Sequence, residues 1–89
     1  MEFEWDPEKD RLNQEKHDIS FTEASTVFGD PLAVTFVDPR PDYEEYRFLT
    51  IGCTPVYRLI IVAHTDREDR IRIIMARDVE RWERRFYEQ

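Results

Sequence analysis

The basic charge of this chain is distributed unevenly. Residues 1–45 hold thirteen acids and four bases, whereas residues 46–89 hold seven acids and nine bases, and all nine are arginine: Arg47, Arg58, Arg67, Arg70, Arg72, Arg77, Arg81, Arg84 and Arg85. Arginine presents a planar fork of donors that fits a phosphate or a carboxylate, where lysine is a point charge. Arg47, Arg72 and Arg77 fall on or beside β-type segments, and the turn expected over 66–69 folds His64 back toward Arg70–Arg72. Such a group can hold a scissile phosphate, stabilise the charge that builds on it and move a proton through an imidazole whose ordinary pKa is near 6.5. The same residues equally well form ion pairs with Asp and Glu, with His64 bonded to a turn. A net charge of −7 tempers any expectation of nucleic-acid binding by the chain as a whole.

Other chemistries find no support. There is no His-Glu-x-x-His, the only thiol is Cys53, and two glycines make no phosphate-cradling loop. Neither Ser20 nor Ser25 sits in a nucleophile elbow. Lys9, Asn13, Lys16 and His17 share one face of an N-terminal helix, a polar stripe that is either a solvated cover or a wall of a site. On a C-terminal helix Arg81 is a candidate for RNA contact and Tyr87 either contacts RNA or simply rims the helix, while Trp5 and Trp82 read as core anchors.

The positioning elements follow from caps and periodicity. Phe3 to Trp5 suits a short edge strand, and Asp6-Pro7 starts a helix that runs to His17. Ser20-x-x-Glu23 has capping-box spacing, Phe21, Ala24, Val27 and Phe28 form an apolar stripe, and Gly29 ends it. Strands are predicted over 32–37, 46–53, 57–65 and 70–77, with a loop over 40–45. Their short connections favour antiparallel neighbours. The run Leu59–Ala63 is apolar on both faces, which places it at the sheet centre. Asp78 would cap a last helix burying Val79, Trp82 and Phe86. The expected fold is α+β: a small antiparallel sheet with a pair of N-terminal helices packed on it and a C-terminal helix.

With 89 residues, the chain is expected to form one domain over 1–89. No apolar run approaches the length of a membrane span, and the N-terminus is acidic where a secretory signal is basic and then apolar. One cysteine cannot form an internal disulfide, so a cytoplasmic location is expected.

Taken in order, these motifs resemble a known family. Phe3-Glu4-Trp5-Asp6, Lys9, Asn13, Lys16-His17, Ser20-Phe21, Ala24, Val27-Phe28, Asp30-Pro31, Arg47-Phe48, Ile51-Gly52, Arg58-Leu59, Ile71-Arg72-Ile73-Ile74, Ala76-Arg77 and Glu83-Arg84 are similar to the pattern of the BrnT-type toxins, from residue 3 to about 87. Asp18 stands where that family usually has Gly, Met75 where it usually has Ser, and Tyr46 separates Glu45 from Arg47. The resemblance implies a RelE/ParE-like fold and a metal-independent endoribonuclease that needs no cofactor. It further implies a neighbouring ribbon-helix-helix antitoxin that neutralises the toxin, with operator DNA bound through the complex. A site of His64, Arg72, Arg77 and Arg47 follows, walled by Lys9, Asn13, Lys16, His17, Arg81 and Tyr87. The alternatives are a catalytically inactive interaction module of the same fold and a topoisomerase poison.

Overall fold

A computed structural model describes residues 1–39 and 46–88. The loop expected over 40–45 lies outside the described residues. In chain order the elements are β1 (Glu2–Glu4), α1 (Pro7–His17), α2 (Phe21–Ser25) running into a 3₁₀ turn (Thr26–Gly29), β2 (Val34–Val37), β3 (Phe48–Cys53), β4 (Leu59–Arg67), β5 (Arg70–Asp78) and α3 (Arg81–Glu88).

Local chemistry sets the helix ends. Asp6 accepts a hydrogen bond from the Glu8 N–H and Pro7 occupies the first turn of α1. Ser20 Oγ accepts from the Glu23 N–H, as the capping spacing predicts. Asp18 closes α1 in the left-handed region at φ 58°, the conformation that glycine adopts most easily. Arg58 reinforces that end: its guanidinium donates to the carbonyls of His17 and Asp18 at 3.0 and 2.7 Å and forms a two-point pair with Asp78.

The five strands form one sheet in the order β1-β5-β4-β3-β2. From β2 to β5 the neighbours are antiparallel, and β4 is central. The outer strand β1, however, pairs parallel with β5, Glu2 opposite Arg70 and Glu4 opposite Arg72. The sheet is therefore mixed, not purely antiparallel. A strand followed by two helices and three further strands returns to the sheet edge far along the chain, and that long connection permits parallel pairing.

Both faces of the sheet are covered at its centre. Ile60 and Val62 of β4, with Ile73 and Ala76 of β5, meet Ile19, Phe21, Ala24 and Val27 from the α1–α2 layer in one buried core. Gly52 lies under Val27 so closely that a Cβ there would come within 2.8 Å of the Val27 Cβ. Ile51, Ile61 and Ala63 point to the opposite face and are equally buried. That face carries α3, as the Phe36–Phe86 ring contact at 5.9 Å and the Arg77–Glu83 pair show. Burial of each of the larger β4 side chains Ile60, Ile61 and Val62 is worth about 1.5–3 kcal/mol, and a run apolar on both faces suits this central position.

β1 reaches only to Arg72, so the outer edge of β5 beyond it lacks a strand. Asn13 fills the place. Its Nδ2 donates to the carbonyls of Ala76 and Ile19, each at 2.9 Å, and its Oδ1 accepts the Ala76 N–H at 3.1 Å. The side-chain amide thus pairs with the strand edge as a peptide group would. Asn13→Ala should destabilise the fold by about 3 kcal/mol, because it strands a buried N–H and two carbonyls. Urea unfolding checks this; a loss below about 0.5 kcal/mol would show that water replaces the amide.

Candidate functional site

The pleat divides the candidate residues between two faces. His64 follows Ile60 and Val62 along β4 and so points into the helix layer, and an extra residue in β5 between Met75 and Ile73 brings Ile73 to the same face. Arg72, opposite Thr65, points to the other face, as does Arg77, opposite Ile61. His64 is thus adjacent to Arg72 along the ladder yet separated from it by the thickness of the sheet.

His64 is only 3% exposed. Its ring lies edge-on to Phe28, centroids 4.9 Å apart, and stacks on Phe48 at 5.8 Å. Nε2 is 2.8 Å from Thr50 Oγ1, which is 2.7 Å from Thr35 Oγ1 on the edge strand. Nδ1 makes no hydrogen bond and stands 3.8 Å from an Asp66 carboxylate oxygen. Burial pushes the imidazole pKa below its ordinary value, opposed in part by Asp66. The sequence leaves His64 open as a proton carrier or a strand-end histidine bonded to a turn; the structure places the ring buried among aromatic groups.

The opposite face gathers the arginines. Successive rows across the sheet read Ile51-Ile61-Arg77, then Phe36-Leu49-Ala63-Met75, then Thr65-Arg72-Glu4, then Arg67-Arg70-Glu2. Arg47, one residue before β3, continues the third row beside Thr65, and its carbonyl accepts the Asp38 N–H at 2.8 Å. Strand spacing puts the backbones of Arg47 and Arg72 about 10 Å apart, with Thr65 between them. The Thr65 hydroxyl is buried and has no hydrogen-bond partner.

Carboxylates hold these arginines in place. Arg72 Nη1 donates to Glu4 Oε2 at 3.0 Å, and Arg70 stands 3.6 Å from Glu2 and from Glu4. The Arg72 hydrogen bond keeps the Glu4 carboxyl below its ordinary pKa, with Arg70 adding to the effect. Arg77 is gripped at two points by Glu83, both bonds 2.9 Å, and Glu83 also accepts the Glu80 N–H. Glu83 is 4% exposed, and the Arg77 bond holds its carboxyl low against the cost of burial.

The remaining candidates disperse. Asn13 is buried with all its amide atoms engaged at the β5 edge, so it lines no open wall. Lys9 and Lys16 are exposed and His17 is half-buried on α1, in the helical layer. Arg81 is exposed at the start of α3. Tyr87 donates its hydroxyl to Asp30 Oδ2 at 2.7 Å, which pushes the phenol up to about 12 and latches α3 to the turn before β2.

Trp82, expected as a core anchor, is instead 55% exposed, and Phe86 is 40% exposed. α3 begins at Arg81 rather than just after Asp78, which stays in β5, and the helix docks through the polar pair Glu83 and Tyr87. The apolar stripe therefore turns outward. Its helical period is legible in the sequence; the choice of docking side is not, because that depends on Arg77 and Asp30.

The sequence from residue 5 to 83 matches the model of a family described as the ribonuclease toxin, BrnT, of type II toxin-antitoxin systems. Among solved structures, the 1.1 Å crystal structure of the Brucella abortus ribonuclease toxin BrnT aligns with a TM-score of 0.65 and 20% identity, over 91% of this chain and 99% of that one. No curated protein matches the sequence.

His64 makes stability depend on pH in a defined direction. Its pKa is lower in the folded than in the unfolded chain, so the unfolded chain takes up the proton first. The stabilisation is complete above about pH 6.5 and falls as pH drops through that value, by at most about 1.4 kcal/mol per pH unit. Melting temperatures between pH 7.5 and 5.5 should fall more steeply for the wild type than for His64→Gln. Parallel curves would contradict a neutral buried ring.

Proposed function

The chain belongs to the BrnT family of ribonuclease toxins of type II toxin-antitoxin systems, and on that premise we propose that it is an endoribonuclease whose substrate lies on the arginine face of the sheet. The observation that carries this reading is the register: Arg47, Arg72 and Arg77 share one face, and the Thr65 hydroxyl lies between the first two.

The reaction is metal-independent. The RNA 2′-hydroxyl attacks the adjacent phosphorus, its proton passes to solvent, and the 5′-oxygen of the next nucleotide leaves after taking up a proton. The products are a 2′,3′-cyclic phosphate and a free 5′-hydroxyl. Negative charge grows on the phosphoryl oxygens during the attack, and fixed guanidinium groups stabilise it without reorganising. Arg72 is the best placed of the paired arginines to do so, because its partner Glu4 lies at the partly open sheet edge and can be exchanged for phosphate. Arg47 approaches the same row from the other side. Arg77 is clamped by a buried carboxylate, which makes it chiefly the anchor that positions α3. In this reading no proton passes through His64, which instead fixes Thr50 and Phe48 from the far face.

A cognate antitoxin neutralises the activity. It carries a ribbon-helix-helix DNA-binding part, and the complex binds operator DNA through that part. The net charge of −7 supports this division of labour, since a strongly acidic chain is poorly suited to a phosphate backbone by itself.

Arg72→Ala should lower RNA cleavage about a hundredfold at nearly unchanged melting temperature, and wild-type cleavage should persist in EDTA. Arg77→Ala should lower both cleavage and melting temperature, because it frees α3. Full cleavage by folded Arg72→Ala and Arg47→Ala proteins would place the site elsewhere, and an inactive wild type would favour the interaction module.

A further inference from the structure

The apolar stripe on α3 touches the sheet through Phe86 and Phe36 and otherwise turns outward. Trp82 and Phe86 contact each other at 6.0 Å with rings nearly perpendicular, and Phe86 continues to Phe36 of β2 at 5.9 Å. All three are at least 36% exposed. The Trp82 Nε1–H donates to Glu80 Oε2 at 2.6 Å, which fixes the edge of the indole and leaves its ring surface outward. Phe36 belongs to the sheet row immediately next to the Arg47-Thr65-Arg72 row, about 7 Å away on the same face. Arg81 and Arg85 flank the stripe one turn apart on α3, both exposed and neither in an ion pair among the described residues.

We propose that Trp82, Phe86 and Phe36 form a stacking platform for unpaired RNA bases, with Arg81 and Arg85 holding the phosphates between them. The inference rests on the nuclease reading above and adds its substrate class: single-stranded RNA, bound with little preference for base identity. Three features of this surface favour bases over a protein partner. The exposed groups are planar rings rather than a broad aliphatic patch. Two exposed guanidinium groups without an ion pair among the described residues border them, as phosphates require. The strip also runs directly into the arginine row that would hold the scissile phosphate. Every base offers a flat surface, so stacking gives affinity without sequence readout.

The test uses a 2′-O-methyl uridine oligonucleotide, which is unstructured and cannot be cleaved, titrated against the full chain. Binding should quench tryptophan fluorescence, and Trp82→Phe should abolish most of the quenching while keeping affinity within about threefold. Trp82→Ala should weaken binding about tenfold at unchanged melting temperature. On cleavable RNA, Trp82→Ala should raise KM more than it lowers kcat. Unchanged affinity and KM in Trp82→Ala, with wild-type cleavage intact, would overturn the platform and leave the nuclease standing. Quenching at Trp82 without any cleavage of unmodified RNA would uphold the platform and reject the nuclease. Loss of a co-expressed antitoxin from Trp82→Ala, with oligonucleotide affinity unchanged, would make the stripe a protein-docking surface and overturn the proposal.

Discussion

A three-residue β1 leaves the outer edge of β5 open from Ile73 onward, and the fold must satisfy that edge by other means. Asn13 does so with one side-chain amide, fixing α1 to Ala76 and to the Ile19 carbonyl at once. Arg58 fastens the other end of the same helix by donating to its last carbonyls while paired with Asp78. Neither interaction buries much apolar area. Both decide where the helical layer sits, and α1 has almost no apolar side chains of its own with which to choose. The layer's apolar contribution comes from Ile19 and α2 instead, brought into place by the clamp.

Committing α1 and α2 to one face leaves the other for α3 and the arginines, and this separation shapes the chemistry. The helix-covered face encloses His64 between two phenylalanines, an environment that disfavours charge on the ring. The opposite face holds guanidinium groups in register, each of the sheet arginines Arg70, Arg72 and Arg77 beside a carboxylate. Those pairs orient the arginines before any ligand arrives. The exposed ones contribute little to stability; the Arg77–Glu83 pair, buried on the Glu83 side, is the one that fixes α3.

Much of this arrangement is local and therefore legible in the sequence. The Asp6 and Ser20 caps, the Gly29 stop and the doubly apolar run of β4 each depend on residues close in the chain. What the sequence does not disclose depends on distant partners. The parallel pairing of β1 needs Arg70–Arg72, some 68 residues away. The face of Arg72 turns on a single extra residue in β5: without it Arg72 and Arg77, five positions apart, would lie on opposite faces of the sheet. Trp82 lies outward because Glu83 and Tyr87 find Arg77 and Asp30. The Lys9, Asn13, Lys16, His17 stripe is a true helical face, yet its central member is spent on holding the sheet edge.

The account therefore turns on which face meets RNA. The most direct measurement is an NMR titration of the isotope-labelled protein with a non-cleavable 2′-O-methyl oligonucleotide, following backbone amides and the tryptophan indoles. The account predicts that shifts concentrate at Arg47, Thr65, Arg72 and the Trp82 indole, leaving Lys9, Lys16 and His17 still. Shifts confined to Lys9, Lys16 and His17, with the arginine row unmoved, would contradict it.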